Sequence, residues 1–316
     1  VDGCQIEINC SNQNNNGATL EVGNSAAATT GENQSVNDGN NGNVSIVTGG
    51  ATATVTNQNQ VNTNTLEVAT TMADVGETEA EVAENNNQAE VATENGATAT
   101  TGENEVSTNN ADVVVNTGGA TAYANVINLI NTNVVGTNLG IYVVNNFDQE
   151  WMDLDLNQMW LKLINGNGVT VIESGMSNKK MVIISNNNLA TLNNVVTVAA
   201  VSGGNTVIGG NEVLIITGDA VAIANVINLV NVNLVGGQFF IGVVNVLGEN
   251  LGNIVLPNPD NFQNKNNTNS DGGGSTTDNS NQAVLDNKVV AGSDSGNNTT
   301  VNVNQSEIET EKATTY

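Results

Sequence analysis

The segment ANVINLINTNVVG (Ala124 to Gly136) returns almost unchanged as ANVINLVNVNLVG (Ala224 to Gly236). A chain that writes one apolar string twice, with Asn at the same places each time, is built of repeated structural units rather than of a mixed domain. The match extends beyond these letters. TGGATAYANVINLINTNVVG (Thr117 to Gly136) aligns without gaps to TGDAVAIANVINLVNVNLVG (Thr217 to Gly236). It continues through IYVVNNF against IGVVNVL and fades through EWMDLDL against NLGNIVL. A third, weaker copy opens at Thr48 as TGGATATVTNQNQVNTN, with Asn59, Asn62 and Asn64 where Asn128, Asn131 and Asn133 fall later. Upstream, TTGENQS (Thr29 to Ser35) pairs with TTGENEVS (Thr100 to Ser107).

Alternation assigns the local structure. In ETEAEVAE, Glu77, Glu79 and Glu81 point one way and Thr78, Ala80 and Val82 the other, which is the period of a strand. QIEI near the start and SEIETEKAT near the end read the same way. Asn-Gly pairs at 16–17, 41–42, 95–96, 165–166 and 167–168 predict turns that tolerate positive φ. The Asn spacing of three in the repeated segment could mark one face of a helix. Asn, Val, Ile and Thr are mediocre helix formers, however, and the preceding ATAYA alternates, so strand is the reading. The expected fold is all-β: a repeat-containing β-solenoid or a stacked β-sandwich, with extended terminal strands.

Asn is normally depleted from strands, so its recurrence needs a reason. One reading stacks each amide on that of the next rung, forming ladders at Asn59, Asn62, Asn64, Asn125, Asn128, Asn131, Asn133, Asn225, Asn228, Asn231 and Asn233. The other leaves these residues on a wet face or in turns, bonded to backbone. Simple duplication accounts for the recurrence equally well.

Composition narrows the partners. The chain carries 32 acidic residues against 6 basic ones, all Lys, for a net charge of −26, and it contains no His. Such a surface repels nucleic acid and anionic lipid, which are bound through basic residues. Solubility and protection against unwanted sheet association account for the acidity; Ca2+ screening of carboxylate rows is the sharper alternative. No apolar run approaches the length of a membrane span. The first aromatic residue is Tyr123, so the first part must pack with Ala, Val, Thr and Leu, which suits a narrow sheet stack. The expected organisation is an acidic, aromatic-free β-repeat region over 1–116 and a β-sheet body with the duplicated 40-residue module over 117–257. A linker over 258–282 and a C-terminal strand arm over 283–316 complete it. Within the body, residues 151–217 offer the most conventional core, in short apolar runs such as MWLKLI, KMVIIS and EVLIIT. The tail VNVNQSEIETEKATT resembles NQNQVNTNTLEVATT (Asn57 to Thr71), so it could pair on a neighbouring molecule as that element's own neighbour would.

Chemical sites are sparse. Without His, no Ser–His or Cys–His pair can form. Ser177 and Lys180 fit an S-x-x-K spacing, but in a segment that reads as a hairpin turn. Asp153 and Asp155 alternate with Leu and share a face, and NDGNNGN, with Asp38, has the oxygen-rich look of a calcium loop without its closing Glu. These three aspartates are the candidate Ca2+ ligands, with a solvated face or plain turn as the alternative. Cys4 and Cys10 would stand ~20 Å apart in extended chain, so a disulfide between them needs a tight turn. A local bridge is the expectation, with free thiols or an intersubunit link as alternatives. Asn-x-Ser/Thr triplets recur, as chance dictates in so Asn-rich a chain.

The paired TGGATAYANVINLINTN and TGDAVAIANVINLVNVN, each followed by a VVN strand, resemble a repeat module of surface proteins from uncultured bacteria. The resemblance implies an exported, β-rich protein and carries no catalytic residues. An acidic, Asn-dense N-terminal part departs from it and leaves wall adhesin and polymer subunit both open. The expectation is thus a non-enzymatic extracellular protein, its export signal removed. It would form a cell-surface filament or layer with copies of itself by strand addition; the alternative is a monomeric adhesin that binds glycans.

Overall fold

The computed structural model describes residues 7–37, 42–62, 64–66, 79–146, 152–158, 161, 181–246, 251–256, 258 and 275–316. Within them the chain winds through four successive coils. The first consists of β1 (Glu7–Gly31), β2 (Gln34–Asn37), β3 (Val44–Thr48), β4 (Ala51–Val61) and β5 (Asn64–Leu66). The second consists of β6 (Glu79–Gly102), β7 (Glu105–Thr108), β8 (Val113–Thr117), β9 (Ala120–Ile130), β10 (Asn133–Asn146) and β11 (Met152–Asp155). The third repeats this order as β12 (Met181–Gly203), β13 (Thr206–Ile208), β14 (Glu212–Thr217), β15 (Ala220–Val230), β16 (Asn233–Val246) and β17 (Leu251–Val255). The last has β18 (Ser275–Asp294), β19 (Thr299–Val301), β20 (Gln305–Thr310) and β21 (Ala313–Thr315).

Each strand pairs in parallel with its counterpart one coil away. The long sheet is β1-β6-β12-β18 and the sheet facing it is β4-β9-β15-β21. Two short sheets, β2-β7-β13-β19 and β3-β8-β14-β20, join them at one end of the coil. The sheets β5-β10-β16 and β11-β17 follow the other end of the facing sheet. This is the all-β repeat architecture the sequence predicts. The offsets of the sequence repeats, 69 and 100 residues, are the coil-to-coil separations of the facing sheet. In the long sheet and its following corner the separations are 71, 101 and 93 residues.

Two kinds of corner make the winding possible. At the end of the long strands, Gly31, Gly102 and Gly203 have φ of 123°, 103° and 145°, and Glu32 and Glu103 follow in the left-handed region. A Cβ on Gly102 would stand 2.0 Å from the Gly203 carbonyl oxygen, and the same clash recurs at Gly31 and Gly203. Glycine is therefore required wherever coils stack at this corner. At the end of the facing sheet the turn residue is Asn62, Asn131 or Asn231, with φ of 52°, 49° and 55°. Asn tolerates this conformation better than any β-branched residue.

The core lies between the long and facing sheets. Near the glycine corner it is made of small side chains: Ala97, Ala99 and Ala200 against Ala51, Ala53, Ala120, Ala122 and Ala220. Toward the other end larger residues take over, with Ala89, Val91, Ala190 and Leu192 against Val61 and Ile130. The two short sheets close around Val106, Val113, Val115, Val207 and Ile215. Apolar burial of this kind stabilises by roughly 25 cal/mol per Å². The core is thus narrow and runs through the repeated modules and through Ala190 to Ile215 of the stretch 151–217, of which residues 151, 159–160 and 162–180 lie outside the described residues.

Several expectations differ from the structure. The boundary between 116 and 117 falls inside β8, in mid-coil. β18 opens at Ser275, so the expected linker is strand from Ser275 to Gln282, and Ala283 continues it without a break. Polar STTDNSNQ looked like linker, yet it lies opposite Val182 to Leu189 in the long sheet. The tail does not mimic residues 57–71: Gln305–Thr310 pairs with Glu212–Thr217 of its own chain as part of the fourth coil. Asn16-Gly17 and Asn95-Gly96 lie within β1 and β6 rather than in turns, each glycine with open space around it.

Candidate functional site

What the coils position most regularly is the carboxamide. In the facing sheet, Asn59 Nδ2 donates to Asn128 Oδ1 at 2.7 Å, and Asn128 Nδ2 to Asn228 Oδ1 at 2.7 Å. Asn228 Nδ2 then crosses to Asn287 Oδ1 of the long sheet at 3.0 Å. At the corner, Asn62 Nδ2 donates to Asn131 Oδ1 at 3.1 Å and Asn131 Nδ2 to Asn231 Oδ1 at 3.0 Å. The same nitrogens reach the long sheet's backbone: Asn62 to Gln88 O, Asn131 to Leu189 O and Asn231 to Gln282 O. One residue therefore makes the turn, ties coil to coil and ties sheet to sheet.

Asn225 Nδ2 donates to Asn125 Oδ1 at 2.8 Å. Asn64, Asn133 and Asn233 stand opposite one another in backbone register, and Asn233 Nδ2 donates to Asn279 Oδ1 at 3.0 Å. The side chains of Asn64 and Asn133 lie outside the described residues.

The sequence reading missed a ladder that stays in one column through all four coils. Asn33, Asn104, Asn205 and Asn298 follow the glycine corner in the four coils. Asn33 Nδ2 donates to Asn104 Oδ1 at 3.0 Å, Asn104 Nδ2 to Asn205 Oδ1 at 2.8 Å and Asn205 Nδ2 to Asn298 Oδ1 at 2.8 Å. Its signal was present as the last letter of TTGEN at Asn33 and Asn104. Also missed were Asn87 donating to Asn188, Thr93 to Asn194, and Asn57 to Asn95 across the core. The Asn triplets at 14–16, 85–87 and 186–188 that align these strands are plain in the sequence. A buried amide pair contributes roughly 1 kcal/mol, while an orphaned partner costs about 1–3 kcal/mol, so in-register stacking is favoured over any slip.

Of the three expected Ca2+ ligands, only the Asp155 side chain lies among the described residues. Asp155 ends β11, and its Oδ1 accepts from Gln158 N at 2.8 Å, capping the helical residues 156–158. The Asp153 side chain, Asp38, Ser177, Lys180, Cys4 and the Cys10 side chain all lie outside the described residues. Among the described residues there is no cluster of three or more His, Cys, Asp or Glu side chains, and no helix is long and apolar enough to cross a membrane.

The remaining distinctive surfaces are the two ends. Among the described residues, the first coil's strands have a partner only on the second coil, and the last coil's only on the third. Core positions lose their cover at the last coil: Leu192 is 0 % exposed and Leu285, next in the same column, is 46 % exposed. Ile215 is 0 % and Ile308 is 42 % exposed. No protein-family model, no curated protein and no solved structure matches the chain.

Proposed function

We propose that the protein is an exported structural element of a cell surface that assembles with copies of itself, end to end, into a filament or layer. The observation that carries this reading is the pair of coil faces, on the first and last coils, that have no strand partner among the described residues. Each presents unpaired strand edges in the parallel order and register that stack the coils internally. Such edges are templates for further strand pairing, and a heterologous joint of this kind propagates. The tail already pairs on its own chain through Gln305–Thr310 and Ala313–Thr315, so the joint is made by coil faces rather than by a donated arm. The β-repeat surface modules resembled by the repeated segments fit the same setting.

A charge of −26 holds copies apart, so the test belongs at moderate ionic strength. Negative-stain electron microscopy and sedimentation of the purified chain, from ~1 to ~100 µM in ~0.15 M salt, should show concentration-dependent linear assemblies (a Debye length of about 8 Å). A monodisperse monomer throughout refutes the reading, and a monomer that binds a glycan array favours the adhesin.

A further inference from the structure

We draw no further inference here: the strongest candidate, the outward face of the long sheet, where the carboxylates of Glu21, Glu90 and Glu94 share a surface with exposed Leu189, Val284 and Val290, is an acidic cluster beside an unpartnered apolar face, and nothing in the structure shows what covers it.

Discussion

Asn131 is the residue at which turn and ladder can be separated experimentally. It is fully buried, has φ of 49°, accepts from Asn62 Nδ2 at 3.1 Å and donates to Asn231 Oδ1 at 3.0 Å and Leu189 O at 2.9 Å. Asn131→Gly keeps the left-handed turn and removes these three hydrogen bonds and a longer one from Nδ2 to Asn87 O at 3.4 Å, a loss of about 3–4 kcal/mol at roughly 1 kcal/mol each. Asn131→Ala removes the same bonds and adds the strain of a Cβ in that conformation, ~1 kcal/mol more. Urea unfolding of the dilute chain at low salt, followed by far-ultraviolet circular dichroism, should rank parent, Gly and Ala in that order with a common denaturant slope. The reasoning is refuted if Ala and Gly are equally stable, since the turn then imposes no strain. It is also refuted if both lose less than ~1 kcal/mol, since the amides then do not hold the coils.

Other perturbations probe the remaining supports. Gly102→Ala places a Cβ 2.0 Å from the Gly203 carbonyl oxygen, so the coils must separate at that corner; loss of the strand signal and of soluble yield is expected. Leu192→Ala should cost ~2–5 kcal/mol in the isolated chain and Leu285→Ala about half as much, because Leu285 is 46 % exposed; equal costs by urea melting would mean the last coil is covered. Raising salt from ~0.01 M to ~0.15 M shortens the screening length from ~30 Å to ~8 Å and should lower the critical concentration for assembly several-fold, as read by light scattering; no salt dependence would mean that the charge of −26 does not oppose the joint.

The repeats were legible because their offsets are coil lengths. TGGATAYANVINL over TGDAVAIANVINL is β9 over β15 with the intervening corner, residue for residue. Inside and outside were not legible. In β4 alternation separates two faces, but Ala53, Asn57 and Asn59 turn in while Thr52, Thr54 and Thr56 turn out, so polarity alone misplaces the amides. Asn57 is tolerated inside because Asn95 accepts its proton, a partner 38 residues away that no local pattern reveals. The tail misled for a related reason. Its likeness to residues 57–71 is one of composition, whereas its position is set by pairing to Glu212–Thr217 and Ala220–Ala222. Asn16-Gly17 and Asn95-Gly96 misled because a stack of long strands accepts glycine where neighbouring columns leave room; Asn41 and residues 165–168 lie outside the described residues.

Why the core should contain amides at all follows from the unequal coils. Successive turns of the winding differ by 71, 101 and 93 residues, so chain length cannot fix the register of one coil on the next. Apolar columns fix it weakly: a slip of two residues in β6 would still lay most of its inward Ala and Val on Ala, Val or Leu, with the same faces in and out. An amide column behaves differently. A slip of two strands Asn87 away from Asn188 and leaves buried donors and acceptors unmet, at about 1–3 kcal/mol for each. Alanine supplies the close approach of the sheets and Asn supplies the address.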